Sequence, residues 1–150
     1  MSVTQSGLYI VEGVRRFRGS PMDVEREITS TAARDGQGVT IRLPQDPGSA
    51  GKAYVAQMVK LLAGYDVKVE RPQGDKATRA AAFASQAEAG NVRILVTGDA
   101  LQDMWIQPFL DELGMFPAVK HDDQVDACSD SFNELALGGS AYNFSGWLDD

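Results

Sequence analysis

Short apolar, β-branched runs alternate with longer stretches of helical period along most of the chain, and no other feature restricts its fold so tightly. Val39-Thr40-Ile41-Arg42-Leu43 is one such run and stops at Pro44, with the turn Asp46 to Gly51 beyond it. Lys52 to Ala63 then carries Val55, Met58, Val59 and Leu62 at helical spacing, and Gly64 is its stop. The pattern recurs as strand Val67 to Arg71, turn Pro72-Gln73-Gly74, helix Asp75 to Ala89, stop Gly90 and strand Val92 to Val96. Strands separated by helices indicate parallel pairing, so the spacing predicts an α/β fold.

The flanks extend this series. Gly7 to Gly19, GLYIVEGVRRFRG, is predicted as a strand bent at Gly13. Ser20 is the predicted cap of a helix with Pro21 in its first turn, running through Val24 and Ile28 to about Ala33 and closed by Arg34 to Gly38. Further helices are predicted over Leu101 to Leu113 and Asp122 to Leu137. Gly138 to Asp150 is expected to be a loose tail, disordered as termini commonly are, with docking of Tyr142, Phe144 and Trp147 on a neighbour or partner as the alternative. A chain of 150 residues is long enough for one domain with a proper core, expected here over residues 1–137.

A net charge of −7, from 14 basic and 21 acidic residues, argues against a domain that grips nucleic acid by bulk electrostatics. The basic residues cluster locally, at Arg15, Arg16 and Arg18 and again at Lys76 and Arg79. No apolar run approaches a membrane span and the start MSVTQSG lacks the regions of a signal peptide, so the expected compartment is cytoplasmic. Cys128 is the one cysteine; it allows no intrachain disulfide or cysteine-based zinc site and is expected to be a small buried residue.

Carboxylates gather in the segment Phe116 to Ala127, FPAVKHDDQVDA, where a helix begins. Asp122 and Asp126 stand at i, i+4 and Asp123 and Asp126 at i, i+3, so at least two of them share a face. Hard oxygen ligands of this kind suit magnesium or manganese. The competing reading is that Asp122 caps the helix and the early acids complement its dipole. Asp46 lies just past the carboxyl end of a strand, where functional groups of open α/β sheets collect. Carboxylates converging there would repel one another unless cations neutralised them, and two such cations roughly 4 Å apart suit phosphodiester cleavage.

These residues resemble the C-terminal nuclease domain of the large terminase subunit of tailed bacteriophages and prophages. Three blocks carry the likeness: Asp46-Pro47-Gly48-Ser49-Ala50-Gly51-Lys52, Gly74-Asp75-Lys76-Ala77-Thr78-Arg79, and Phe116-Pro117 with His121-Asp122-Asp123-Gln124-Val125-Asp126-Ala127. The resemblance implies a ribonuclease-H-like mixed sheet flanked by helices. It implies a Mg2+- or Mn2+-dependent endonuclease that cuts concatemeric viral DNA when packaging starts and ends. It places acidic ligands at Asp46, Asp122 and Asp123, with Asp126 as a further metal ligand, and sets Lys76 and Arg79 near the active site to meet phosphate oxygens or hold the carboxylates. His121 is a secondary candidate for positioning a water or a phosphate. The implied partners are double-stranded DNA, the terminase ATPase domain, the small terminase subunit and the portal, in the cytoplasm of a bacterial host.

The sequence departs from the family at its start. The first catalytic aspartate of the family lies on a strand preceding the one expected at Gly7 to Gly19, and the six residues there hold no acid; Glu12 is the earliest carboxylate. The expectation is an N-terminally incomplete fold, whether fragment, split-gene product or degraded prophage frame, that is a weak or inactive nuclease alone. The alternative is a non-catalytic packaging-complex interaction domain that retains the nuclease fold. A phosphate loop at Gly48 to Ala53 fails, because glycine is needed where Asp46 stands and serine or threonine where Ala53 stands.

Overall fold

The structure, a computed structural model, describes residues 1–71 and 75–138; the expected turn at 72–74 and the tail beyond 138 lie outside the described residues. The chain divides into two compact units, one of Phe17–Gln73 and one of Met1–Arg16 with the chain from Gly74 onward.

In the first of these, α1 (Pro21–Asp35) starts where local chemistry dictates. Ser20 Oγ accepts the Asp23 N–H at 3.3 Å, Asp23 Oδ2 accepts the Ser20 N–H at 2.9 Å, and Pro21 occupies a position whose N–H would be unpaired anyway. Strand β3 (Thr40–Pro44) pairs in parallel with β4 (Asp66–Glu70), Thr40 opposite Asp66 and Pro44 opposite Glu70. Parallel strands need a crossover, and α2 (Ser49–Leu61) supplies it. Ala32, Leu43, Met58 and Leu62 form the buried core, with Ile28, Ile41, Tyr65 and Val67 around it. Gln57 Nε2 donates to Glu25 at 2.7 Å and ties α2 to α1.

The second unit holds a three-stranded sheet in the order β1 (Ser2–Val3), β2 (Tyr9–Val11), β5 (Val92–Ile94). β1 runs antiparallel to β2 and β2 parallel to β5, with Tyr9 opposite Val92 and Val11 opposite Ile94. A strand therefore precedes Tyr9, among residues for which the sequence predicts no element. The predicted strand from Gly7 to Gly19 shrinks to three residues, because Glu12, Gly13, Arg15 and Arg16 are exposed and have no apolar face to bury. β5 is equally short and ends before Leu95, whose N–H reaches Val11 O at 3.0 Å.

Helix α3 (Lys76–Glu88) packs on α5 (Asp123–Gly138), and α4 (Ile106–Met115) follows a 3-10 turn at Asp103–Trp105. α4 begins at Ile106 rather than Leu101 because Asp99 and Asp103 bind nearby backbone N–H groups, of Leu101 at 2.8 Å and of Thr97 and Gly98 at 3.0 Å, in a non-helical shape. Phe116 and Pro117 are joined by a cis peptide bond. Val11, Phe83, Phe109, Cys128 and Phe132 form this unit's core, where Phe132 meets Tyr9 at 4.5 Å and Phe83 at 5.8 Å between ring centroids.

Candidate active site

The acidic face of α5 is oriented from α4. Glu112 is only 3% exposed, and its Oε1 accepts the backbone N–H groups of Gln124 at 2.7 Å and Val125 at 3.2 Å while Oε2 accepts Gln124 Nε2 at 2.5 Å. Arg16, at 3.5 Å, supplies a partial counter-charge. These two N–H groups are the unpaired donors of the helix start that a cap normally satisfies. Glu112 thus performs the capping that the sequence suggested for Asp122, and the Asp122 carboxylate is turned to another partner. The missed signal was a glutamate one turn from Phe109 and next to Leu113 on an apolar stripe, a place where a charge needs a partner.

That other partner is on α3. Asp75 caps α3, its Oδ1 accepting the Thr78 N–H at 2.9 Å and its Oδ2 the Thr78 hydroxyl at 2.7 Å; the Thr78 backbone bond holds the Asp75 carboxyl below its ordinary range. Lys76 follows immediately and projects its ammonium to Asp122 Oδ1 at 2.5 Å and Asp126 Oδ2 at 2.8 Å. One turn on, Arg79 Nη2 meets Asp126 Oδ1 at 2.9 Å, and Nε lies 4.0 Å from Asp130. Bonding to Asp122 and then Asp126 pushes the Lys76 ammonium up to about 12, and the same contact with Lys76 lowers the Asp122 carboxyl. Two carboxylates four residues apart on one helix face therefore converge on a single cation.

The other sequence-predicted residues take no part in these ion pairs. Asp123, at the first position of α5, is exposed and has no ion pair among the described residues. His121 lines a cavity of about 270 Å³ with Arg16, Glu112, Met115 and Lys120. Asp46 belongs to the other unit, exposed in the loop between β3 and α2. That loop turns back tightly on the start of α2: a Cβ on Gly51 would lie 2.4 Å from the Asp46 carbonyl oxygen, so only glycine fits. Gly48, with φ +102, makes the turn between them.

Among the described residues, no three His, Cys, Asp or Glu side chains gather as a group able to hold a metal. The Asp122/Asp126 pair nevertheless has the right chemistry for magnesium or manganese. Its hard anionic oxygens already converge on a cation, and such ions bind through one or two carboxylates with water and phosphate completing the shell.

No curated protein and no solved structure matches the chain. Its mixed α/β architecture agrees with a family model described as a terminase RNaseH-like domain, which matches residues 1–135. With nearly all of its described elements inside that match, the chain belongs to the terminase RNaseH-like domain family.

Proposed function

We propose that the domain is the divalent-metal-dependent DNA endonuclease of a viral DNA-packaging terminase, cutting concatemeric double-stranded DNA by two-metal phosphodiester hydrolysis. The observation that carries this reading is the convergence of Asp122 and Asp126 on one cationic centre, within a chain of this family. In this reading Asp122 and Asp126 hold Mg2+ or Mn2+, Asp46 is contributed from the β3–α2 loop, and Asp123 adjoins them at the helix start. When bound, the metal supplies neutralisation of the charge that develops on the phosphodiester. Lys76 and Arg79 restrain the carboxylates and offer donors to phosphate oxygens, and Glu112 fixes the helix end that carries the acids. The partners in this reading are the packaging ATPase domain, the small terminase subunit and the portal.

A second reading, a non-catalytic interaction domain within the packaging complex, draws support from the same cluster. Lys76 and Arg79 already pair with the carboxylates, as a purely structural ion network would. Plasmid cleavage by the native protein separates the two. The nuclease reading expects at most weak nicking by this chain in manganese, which disappears in chelator and is lost in Asp122→Asn and in Asp46→Asn. Cleavage untouched by either substitution would refute the assigned ligands. Absence of any metal-dependent cleavage, with retained binding to the portal or small subunit, would favour the second reading.

A further inference from the structure

Lys76 and Arg79 face the same carboxylates but are held differently. The Arg79 side chain is 17% exposed, and its backbone carbonyl accepts Asn133 Nδ2 at 3.2 Å, so backbone and guanidinium are both fastened to α5. The Lys76 side chain is 46% exposed, and it meets Asp122 and Asp126 through its ammonium. An ammonium on a four-carbon stem is a compact point charge that leaves by rotation of the stem, whereas a planar guanidinium packed at a helix interface does not. The ammonium also contacts one oxygen of Asp122 and one of Asp126, the oxygens that a small hard cation would take.

Resting on the metal-dependent reading above, we infer that Lys76 is an exchangeable counter-ion of the Asp122/Asp126 pair, which a divalent cation displaces on entry, whereas Arg79 stays in place as the fixed one. Lys76 keeps the two carboxylates together without metal and weakens metal binding by occupying their shared focus. Removing its charge while keeping its stem therefore raises metal affinity. A merely structural lysine predicts the reverse, since its loss would let the acids spread.

The test is manganese binding to the full chain, followed by the electron paramagnetic resonance signal of free Mn2+, in the wild type and in Lys76→Met, Lys76→Gln and Lys76→Arg. Circular dichroism identifies which variants fold, and two neutral substitutions guard against one failing. The expected result is that the neutral variants bind Mn2+ about fivefold tighter or more, the effect of one unit charge roughly 4 Å away at a solvated surface, while Lys76→Arg does not. Asp126→Asn combined with Lys76→Met should abolish the gain. Wild-type binding with no tightening in the neutral variants, or a gain that survives Asp126→Asn, would overturn the inference and leave the metal reading intact. Absence of Mn2+ binding in every form would overturn both.

Discussion

Glu112 accepts the backbone N–H of Gln124 at 2.7 Å, so the first turn of α5 is capped by a carboxylate from a different helix. Glu112→Ala leaves two backbone donors and the Gln124 amide unsatisfied in a buried place and should cost about 3 kcal/mol in urea denaturation. Asp122→Ala loses only partly exposed ion pairing and should cost about 0.5 kcal/mol or less. The reverse ranking would show that Asp122 is the true cap.

Gly51→Ala should displace the Asp46 loop, because the new Cβ meets a backbone oxygen that has no flexible side chain to move aside. The expected loss is about 1–3 kcal/mol in the same denaturation experiment. Ala50→Ser, at the preceding exposed position, is the control and should be nearly neutral. Equal stability of Gly51→Ala and wild type would rule out the tight turn.

Acid should destabilise the fold through aspartates that bind backbone N–H groups. Thr97, first by its backbone, holds the Asp103 carboxyl below its ordinary value of 3.8, and Leu101 does the same for Asp99. A carboxyl lowered in the folded state contributes stability that is present above its ordinary pKa and is lost as pH falls through the folded value. Melting temperature should hold between pH 7 and 5 and fall below about pH 4, with a shallower fall in Asp103→Asn. An identical acid limb in that variant would show that Asp103 is not one of the groups responsible.

Cys128 should be inert in the folded protein. Burial pushes its thiol up to about 12, so almost none is thiolate at neutral pH. Ellman's reagent at pH 8 should leave it unmodified until urea unfolds the chain. Immediate labelling would contradict its place in the core beside Phe83 and Phe132.

What the sequence disclosed was what local chemistry decides. Ser20-Pro21, the run Thr40 to Leu43 and the stop at Gly90 each carry their own instruction, and the corresponding elements stand within a residue or two of the expected bounds. The basic run after Val11 looked like strand because alternation in sequence does not reveal whether a pairing partner extends as far; β5 is only three residues long. Asp99 and Asp103 hid the late start of α4 for a similar reason, since their bonds to backbone compete with a helix that apolar spacing favours. At the site, the spacing of Asp122 and Asp126 was legible on one helix, but their convergence on Lys76 and the cap from Glu112 are contacts between helices distant in sequence.

The ladder formed by Lys76 and Arg79 against Asp122, Asp126 and Asp130 has a consequence for timing. Sliding α3 along α5 by one turn, about 5.4 Å, would move each cation along to the next carboxylate but separate Phe83 from Phe132, so the ring packing holds the helices in register. Access to the carboxylates is left to rotation of one exposed lysine stem, a picosecond-to-nanosecond event, rather than to helix motion in microseconds. If Lys76 is the exchangeable counter-ion inferred above, cation exchange should follow delivery of the ion from solution rather than rearrangement of the protein.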